Sequence, residues 1–273
     1  MSRQLHRQRL GLILALVVLI GVGFISWRWL AGSPPSSGAA PTPTPTLPVN
    51  LIPISQRPYL SLQPLPGRNE LSLTLFSLPL EAASVEVSLE YDRNRGVWDA
   101  VFKSIALANL PLVEKLFLGN KSAGGHITYH DDVVGGTLTL SFTGGAEPYK
   151  LAVPWRYDDS ASKYRQFATQ DAKFQAESPI PIKATKVIVM QSPGLPAPLE
   201  GQILAGPYLI RLPGPWPKTN LNLTIRLAEV SPATQLYGWD GLSWQHIASQ
   251  LNDKTLTAVS PYYQAWVVVS PSP

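Results

Sequence analysis

Val85-Glu86-Val87-Ser88-Leu89-Glu90-Tyr91 alternates apolar with polar residues at a period of two. Successive side chains of an extended chain point to opposite faces, so this stretch has one apolar face and one wet face, as a half-buried strand does. The same period recurs in Leu71-Ser72-Leu73-Thr74-Leu75-Phe76, in His126-Ile127-Thr128-Tyr129 and in Thr137-Leu138-Thr139-Leu140-Ser141-Phe142. Gly124-Gly125, Gly135-Gly136 and Gly144-Gly145 punctuate these runs where turns need positive φ. Short strands at this spacing, with no alternation of strand and helix, predict an all-β chain of antiparallel, Ig-like sandwiches rather than a parallel α/β sheet. One short helix is predicted over Leu110–Leu118, capped by Asn109 and stopped by Gly119. Between 160 and 177, Tyr164, Phe167 and Phe174 fit a helical face as well as strands.

A Pro-rich break at Ser178-Pro179-Ile180-Pro181 divides the pattern. Beyond it strands are expected over 184–190, 202–212, 221–227, 234–239, 242–247, 255–259 and 265–269, enough for a self-contained sandwich. The predicted organisation is therefore a first β-sandwich domain over 58–178 and a second over 179–273.

Within the second, Tyr237-Gly238-Trp239-Asp240-Gly241-Leu242-Ser243-Trp244 places Asp-Gly, the preferred two-residue hairpin turn, between two alternating runs. That register sets Trp239 opposite Leu242 and Tyr237 opposite Trp244, with His246 on the same face. So dense an aromatic face is either sandwich core or a platform on which sugar rings stack. The core reading is favoured for Trp244, and Tyr237, Trp239 and Trp244 are the candidate ligand-binding residues if the face is open.

Ala205-Gly206-Pro207-Tyr208, Leu221-Asn222-Leu223-Thr224-Ile225, the Tyr237–Trp244 hairpin and Ala258-Val259-Ser260-Pro261-Tyr262-Tyr263 together resemble the β-sandwich module of zonula-occludens proteins and netrin receptors. The resemblance covers about the last ninety residues and implies a binding or adhesive module of the kind found in bacterial surface proteins. Some such modules cleave themselves at His-Phe-Ser, a position that falls at Pro261-Tyr262-Tyr263; proline cannot act as the base there, so self-cleavage is not expected. The layout is also similar to membrane-proximal parts of some bacterial cell-wall glycoside hydrolases.

That layout begins with Leu10–Leu30, an apolar run interrupted only by Ser26 and Arg28 and long enough to span the roughly 30 Å hydrocarbon core of a bilayer as a helix. Arg3, Arg7 and Arg9 precede it with no acid, so residues 1–9 are expected to stay cytoplasmic and residues beyond 31 to lie outside the cell membrane. A cleaved signal peptide is the rival reading. Trp27-Arg28-Trp29 at the run's end, and proline after each small-residue cluster (Pro34, Pro41), favour a retained anchor. Residues 31–57, with Pro-Thr repeats that forbid helix, are predicted to be a linker that stands the folded part off the membrane.

The chain of 273 residues carries 22 Lys and Arg against 18 Asp and Glu. Arg3, Arg7, Arg9 and Arg28 lie before residue 31; without them 18 cations face 18 acids, which leaves no bulk positive field for nucleic acid. The absence of cysteine excludes disulfides, thiolate metal sites and a cysteine nucleophile. His126 and His130 share a strand face beside Asp131 and Asp132 as the nearest approach to a metal cluster, with solvated loop residues as the default. Asp92-Arg93-Asn94-Arg95-Gly96 begins like a calcium loop but lacks a closing Glu, so a turn is expected. Asp158-Asp159 reads as a helix cap. No phosphate or dinucleotide fingerprint occurs, and no metal or cofactor is expected.

These features predict a single-pass, extracytoplasmic, non-catalytic protein with a structural, adhesive or accessory binding role, its partners being the bilayer and a cell-wall glycan or envelope protein. Two alternatives are a carbohydrate-active protein whose acids come from Asp92, Asp99, Asp131, Asp132, Asp158 or Asp159, and a single-pass subunit of a larger membrane complex.

Overall fold

The computed structural model describes residues 47–271, apart from 68, 94–95, 159–164, 183–185 and 232. The expected cytoplasmic tail, the anchor over 10–30, the linker as far as residue 46, Asp159 and the Asp158 side chain lie outside that description. The described residues form an all-β, antiparallel structure, and among them no helix is long and apolar enough to cross a membrane.

In chain order the strands are β1 (Leu60–Pro64), β2 (Glu70–Leu75), β3 (Ser84–Arg93), β4 (Val97–Ala106), β5 (Leu112–Phe117), β6 (Gly119–Lys121), β7 (Ile127–Tyr129), β8 (Val133–Thr143) and β9 (Tyr149–Asp158). They continue with β10 (Gln166–Ala168), β11 (Phe174–Glu177), β12 (Val187–Gln191), β13 (Gln202–Arg211) and β14 (Leu221–Arg226). The last are β15 (Gln235–Trp239), β16 (Trp244–Ile247), β17 (Ser249–Asn252), β18 (Thr255–Ser260) and β19 (Ala265–Ser270). Nine of them make one sheet in the order β16-β15-β19-β13-β12-β9-β8-β3-β4. A three-stranded sheet, β1-β2-β5, and a five-stranded one, β10-β11-β14-β18-β17, accompany it, and β6-β7 form a separate hairpin.

The long sheet has a different core on each face. Ile188 and Met190 of β12 enter a cluster with Leu60, Leu62, Leu71 and Leu73 of the three-stranded sheet. Val187 and Val189, one residue out of phase and hence on the other face, join Phe174, Leu223 and Ile225 of the five-stranded sheet. This explains why Val187-Ile188-Val189-Met190 and Ala265-Trp266-Val267-Val268-Val269 are continuously apolar: strands covered on both faces lose the alternation that one-sided strands keep. Toward the β4 end only one core remains, and β3 alternates buried Val85, Val87, Leu89 and Tyr91 with residues turned to solvent.

The sheets do not divide at 178 and 179. Strand β9 pairs with β12 across that break, Val189 opposite Arg156, so the β-ladder is continuous from one expected domain into the other. Strands β10 and β11 precede the break yet pair with each other and with β14, inside the five-stranded sheet. The Pro-rich stretch at 178–181 lies between β11 of the five-stranded sheet and β12 of the nine-stranded one.

Two further expectations change. Residues 112–117 are a strand paired with β2 instead of a helix, because Leu71, Leu73 and Leu75 need a neighbour and tertiary pairing overrides a weak helical signal. The linker also ends before residue 57. Asn50 N donates to Lys150 O at 2.9 Å, and its side-chain amide both donates to Ala152 O (3.0 Å) and accepts from Ala152 N (3.1 Å), which fills the part of the β9 edge that β12 leaves uncovered. The Arg57 guanidinium closes the segment on itself through Asn50 O (2.6 Å) and Ile52 O (2.7 Å). Residues 47–57 thus belong to the fold.

Candidate functional site

The hairpin at 235–247 has a longer loop than expected. Trp239 pairs with Trp244 and Tyr237 with His246, so four residues, Asp240 to Ser243, make the connection. The Asp240 carboxylate, accepting from the Leu242 and Ser243 backbone N–H groups at 2.7 and 2.8 Å, holds this loop, and those bonds keep its pKa below the ordinary value. The aromatic residues still share a face, Trp239 edge-on to Trp244 and Tyr237 edge-on to His246. Trp239 packs against the edge of the first core, while Trp244 belongs to neither core, which corrects the favoured reading of Trp244. The buried positions of the hairpin are Leu236, Gly238 and Ile247, while Tyr237, Trp239 and Trp244 are half-buried and Leu242 is 90% exposed. Trp244 is tied down by its indole N–H, which donates to Ala197 O at 3.2 Å. Gly238 is a packing position rather than a turn residue: a Cβ there would sit 2.1 Å from the Tyr263 ring.

His126 and His130 are not brought together. His126 is exposed, whereas His130 is buried, its Nδ1 3.0 Å from the Tyr91 hydroxyl and 3.4 Å from Asp99 Oδ2 and its Nε2 3.3 Å from the Asn120 amide. Burial above all, with Asp99 adding to it, raises the Tyr91 pKa to about 12. Asp131 accepts from Asn69 at 2.7 Å and Asp132 from Arg93 at 2.8 Å, so these acids fasten the segment after β7 to the residue before β2 and to the end of β3. Among the described residues no group of three or more His, Cys, Asp or Glu side chains is placed to hold a metal ion. Asn94 and Arg95 of the calcium-like stretch lie outside the described residues; Asp92 and Arg93 end β3, and Gly96 N donates to Arg93 O at 2.9 Å. Glu86 and Glu90 line one open groove, but four residues apart on a strand rising about 3.3 Å per residue their Cα atoms stand about 13 Å apart.

The most distinctive chemistry surrounds a residue that the sequence reading passed over. Arg211, the last residue of β13, is only 8% exposed, yet among the described residues no carboxylate pairs with it. Its partners are neutral oxygens. Nη1 donates to Gln264 O (2.8 Å), Ile210 O (3.3 Å) and the Tyr262 hydroxyl (3.3 Å), and Nη2 donates to the Tyr59 hydroxyl (3.3 Å). Burial raises the Tyr59 pKa while Arg211 works the other way, so the phenol remains a neutral acceptor near neutral pH. A buried cation held only by neutral groups carries a desolvation cost of several kcal/mol that an anion would offset.

Arg211 faces a cleft of about 300 Å³ lined also by Ser61, Gln63, Phe76, Trp216, Tyr262 and Gln264. Both walls are aromatic. Trp216 stacks on Tyr262 with centroids 4.5 Å apart and planes at 9°, and Phe76, 42% exposed, stacks on Tyr59 at 5.1 Å. Arg211 Nε makes no hydrogen bond among the described residues, and the Trp216 indole N–H, itself buried, has no acceptor among them. An adjoining cleft of about 590 Å³ shares Trp216 and Tyr262 and adds Lys218. The expected hairpin enters this site through the backbone alone, since Gln264 N donates to Trp239 O (2.7 Å) while Gln264 O accepts from Arg211. The sequence did hold a sign of it, because Arg211 is a lone cation within the otherwise apolar run Tyr208-Leu209-Ile210-Arg211-Leu212.

Comparison of the chain with known protein families, with curated proteins and with solved structures finds no match.

Proposed function

We propose that this chain is a membrane-anchored, outward-facing binding protein of the cell envelope whose Arg211 cleft takes a carboxylate-bearing ligand, most simply the acidic sugar of a cell-wall or capsular polymer. The observation that carries this reading is a buried guanidinium, without an acidic partner among the described residues and with its Nε unspent, lining a cleft with flat aromatic walls. A carboxylate supplies two acceptor oxygens of the right charge, and a sugar ring stacks on indole or phenol with its carboxylate turned to the cation. The adjoining cleft with Lys218 suits a second acidic unit of an extended chain. The address rests on Leu10–Leu30 and its arginine flank. Protease added outside intact cells then removes the mass beyond residue 31 and leaves an N-terminal tag in the membrane; recovery of a soluble species starting near residue 34 or 41 would contradict the anchor.

Retention of the full-length protein on polygalacturonic acid tests the site. Loss of a charge-assisted pair is worth about 1.5–3 kcal/mol, so Arg211→Gln and Arg211→Met should each weaken binding about ten- to a hundredfold, and Trp244→Ala should not. The Met variant guards against misfolding, because removing a buried charge for an apolar group of similar size is often neutral or stabilising. Equal retention of both Arg211 variants and the parent would overturn the assignment. Competition by a peptide with a free C-terminal carboxylate, and not by its amide, without any by the uronic acid would move the ligand from glycan to peptide.

A further inference from the structure

We infer that β4 is the contact surface between two copies of this chain, which pair edge to edge through a two-fold axis at Ala100. Strand β4 ends the nine-stranded sheet, and among the described residues nothing pairs with its outer edge. Sheets ordinarily blunt their edges with short strands, charge or proline, because an open row of N–H and C=O groups recruits another strand. The other edge strands of the larger sheets are shorter or charged: β16 and β17 have 4 residues, β10 has 3, β1 has 5, and β5 has 6 with Glu114 and Lys115 among them. Strand β4 has 10, without proline, and its single lysine, Lys103, is engaged with Glu114.

The side chains of β4 then specify the partner. Trp98, Ala100 and Phe102 share the outer face, opposite Asp92, Glu90 and Ser88 of β3. Trp98 is 61% and Phe102 74% exposed, values that a solvated strand has no use for. Spaced four apart about a small residue, they are self-complementary. When two copies run antiparallel with Ala100 opposite Ala100, each indole lies opposite the other copy's phenyl ring, giving two cross-strand aromatic pairs and a continued ladder. A symmetric contact of this kind closes on itself, so the product is a dimer and not a fibre. Its area is on the order of 1,000 Å² or less, the range of reversible contacts, and covalent trapping is the suitable readout.

The chain contains no cysteine, so one introduced thiol reports one contact. Directly opposite residues of an antiparallel pair have Cα atoms about 4.5 to 5.5 Å apart, within disulfide range. Full-length Ala100→Cys, oxidised by copper(II) in membranes, should run mostly as a disulfide-linked dimer. Thr139→Cys, on the same face two strands further in, should stay monomeric. Adding Trp98→Lys and Phe102→Lys to Ala100→Cys, which sets lysine opposite lysine across the two-fold but opposite Asp92 and beside Glu90 within the chain, should cut dimer yield at least tenfold without lowering the melting temperature. Equal yields for the Ala100→Cys and Thr139→Cys variants would overturn the dimer. A higher yield for Val101→Cys than for Ala100→Cys would overturn the two-fold at Ala100.

Discussion

A polypeptide of residues 179–273 should remain unfolded under conditions in which the full-length protein gives a single cooperative transition. Cutting there removes β9 from one side of β12 and takes Phe167, Phe174 and Ala176 out of the core under the five-stranded sheet. It also uncovers Ile188, Met190, Leu209 and Ala265, all fully buried against residues N-terminal to the cut. Burying a large apolar side chain is worth about 1.5–3 kcal/mol, so the five large residues among these seven carry about 7.5–15 kcal/mol, as much as the 5–15 kcal/mol by which domains are stable. Circular dichroism and thermal unfolding of the fragment measure this directly. A sharp melt near the full-length value would show that 179–273 is a domain in its own right and that the shared sheet is dispensable.

The second large effect separates two tryptophans 22 residues apart in sequence. Trp266 is fully buried on the face of β19 that meets the five-stranded sheet, lies 5.7 Å from both Phe174 and Tyr262, and donates its indole N–H to the buried Ser260 hydroxyl at 3.0 Å. Trp266→Ala should cost about 3–5 kcal/mol through lost burial and a residual cavity, lowering the melting temperature by about 6–20 °C in a unit of this size. Trp244 is half-buried, belongs to neither core and makes one hydrogen bond, so Trp244→Ala should cost about 1 kcal/mol. Equal losses would return the hairpin face to the core.

One-sided strands were the legible part of this fold. Their alternation names the buried residues of β3, β8 and β14 directly, because one face meets a core and the other meets water. The central strands were legible as strands but not as a junction, since a run such as Val187-Ile188-Val189-Met190 states that both faces are covered without stating by what. That missing information placed the division at Ser178-Pro179. The hairpin showed similar limits. Its aromatic face was correctly grouped by parity, while the choice between core and surface depended on Leu236, Ile247 and the ring of Tyr263 occupying the other side. Arg211 illustrates the harder case. Its environment comes from Tyr59, Tyr262 and Gln264, which are 152, 51 and 53 residues away, and no local spacing encodes that meeting.

The carboxylate site can be tested on the unmodified protein by calorimetric titration with a galacturonic acid oligomer and with its fully methylated ester, which keeps the rings and their stacking but removes the charge. The carboxylate assignment predicts binding of the acid and at least a tenfold loss on esterification, from the charge-assisted bonds to Arg211. Binding of the ester as tight as that of the acid would contradict it.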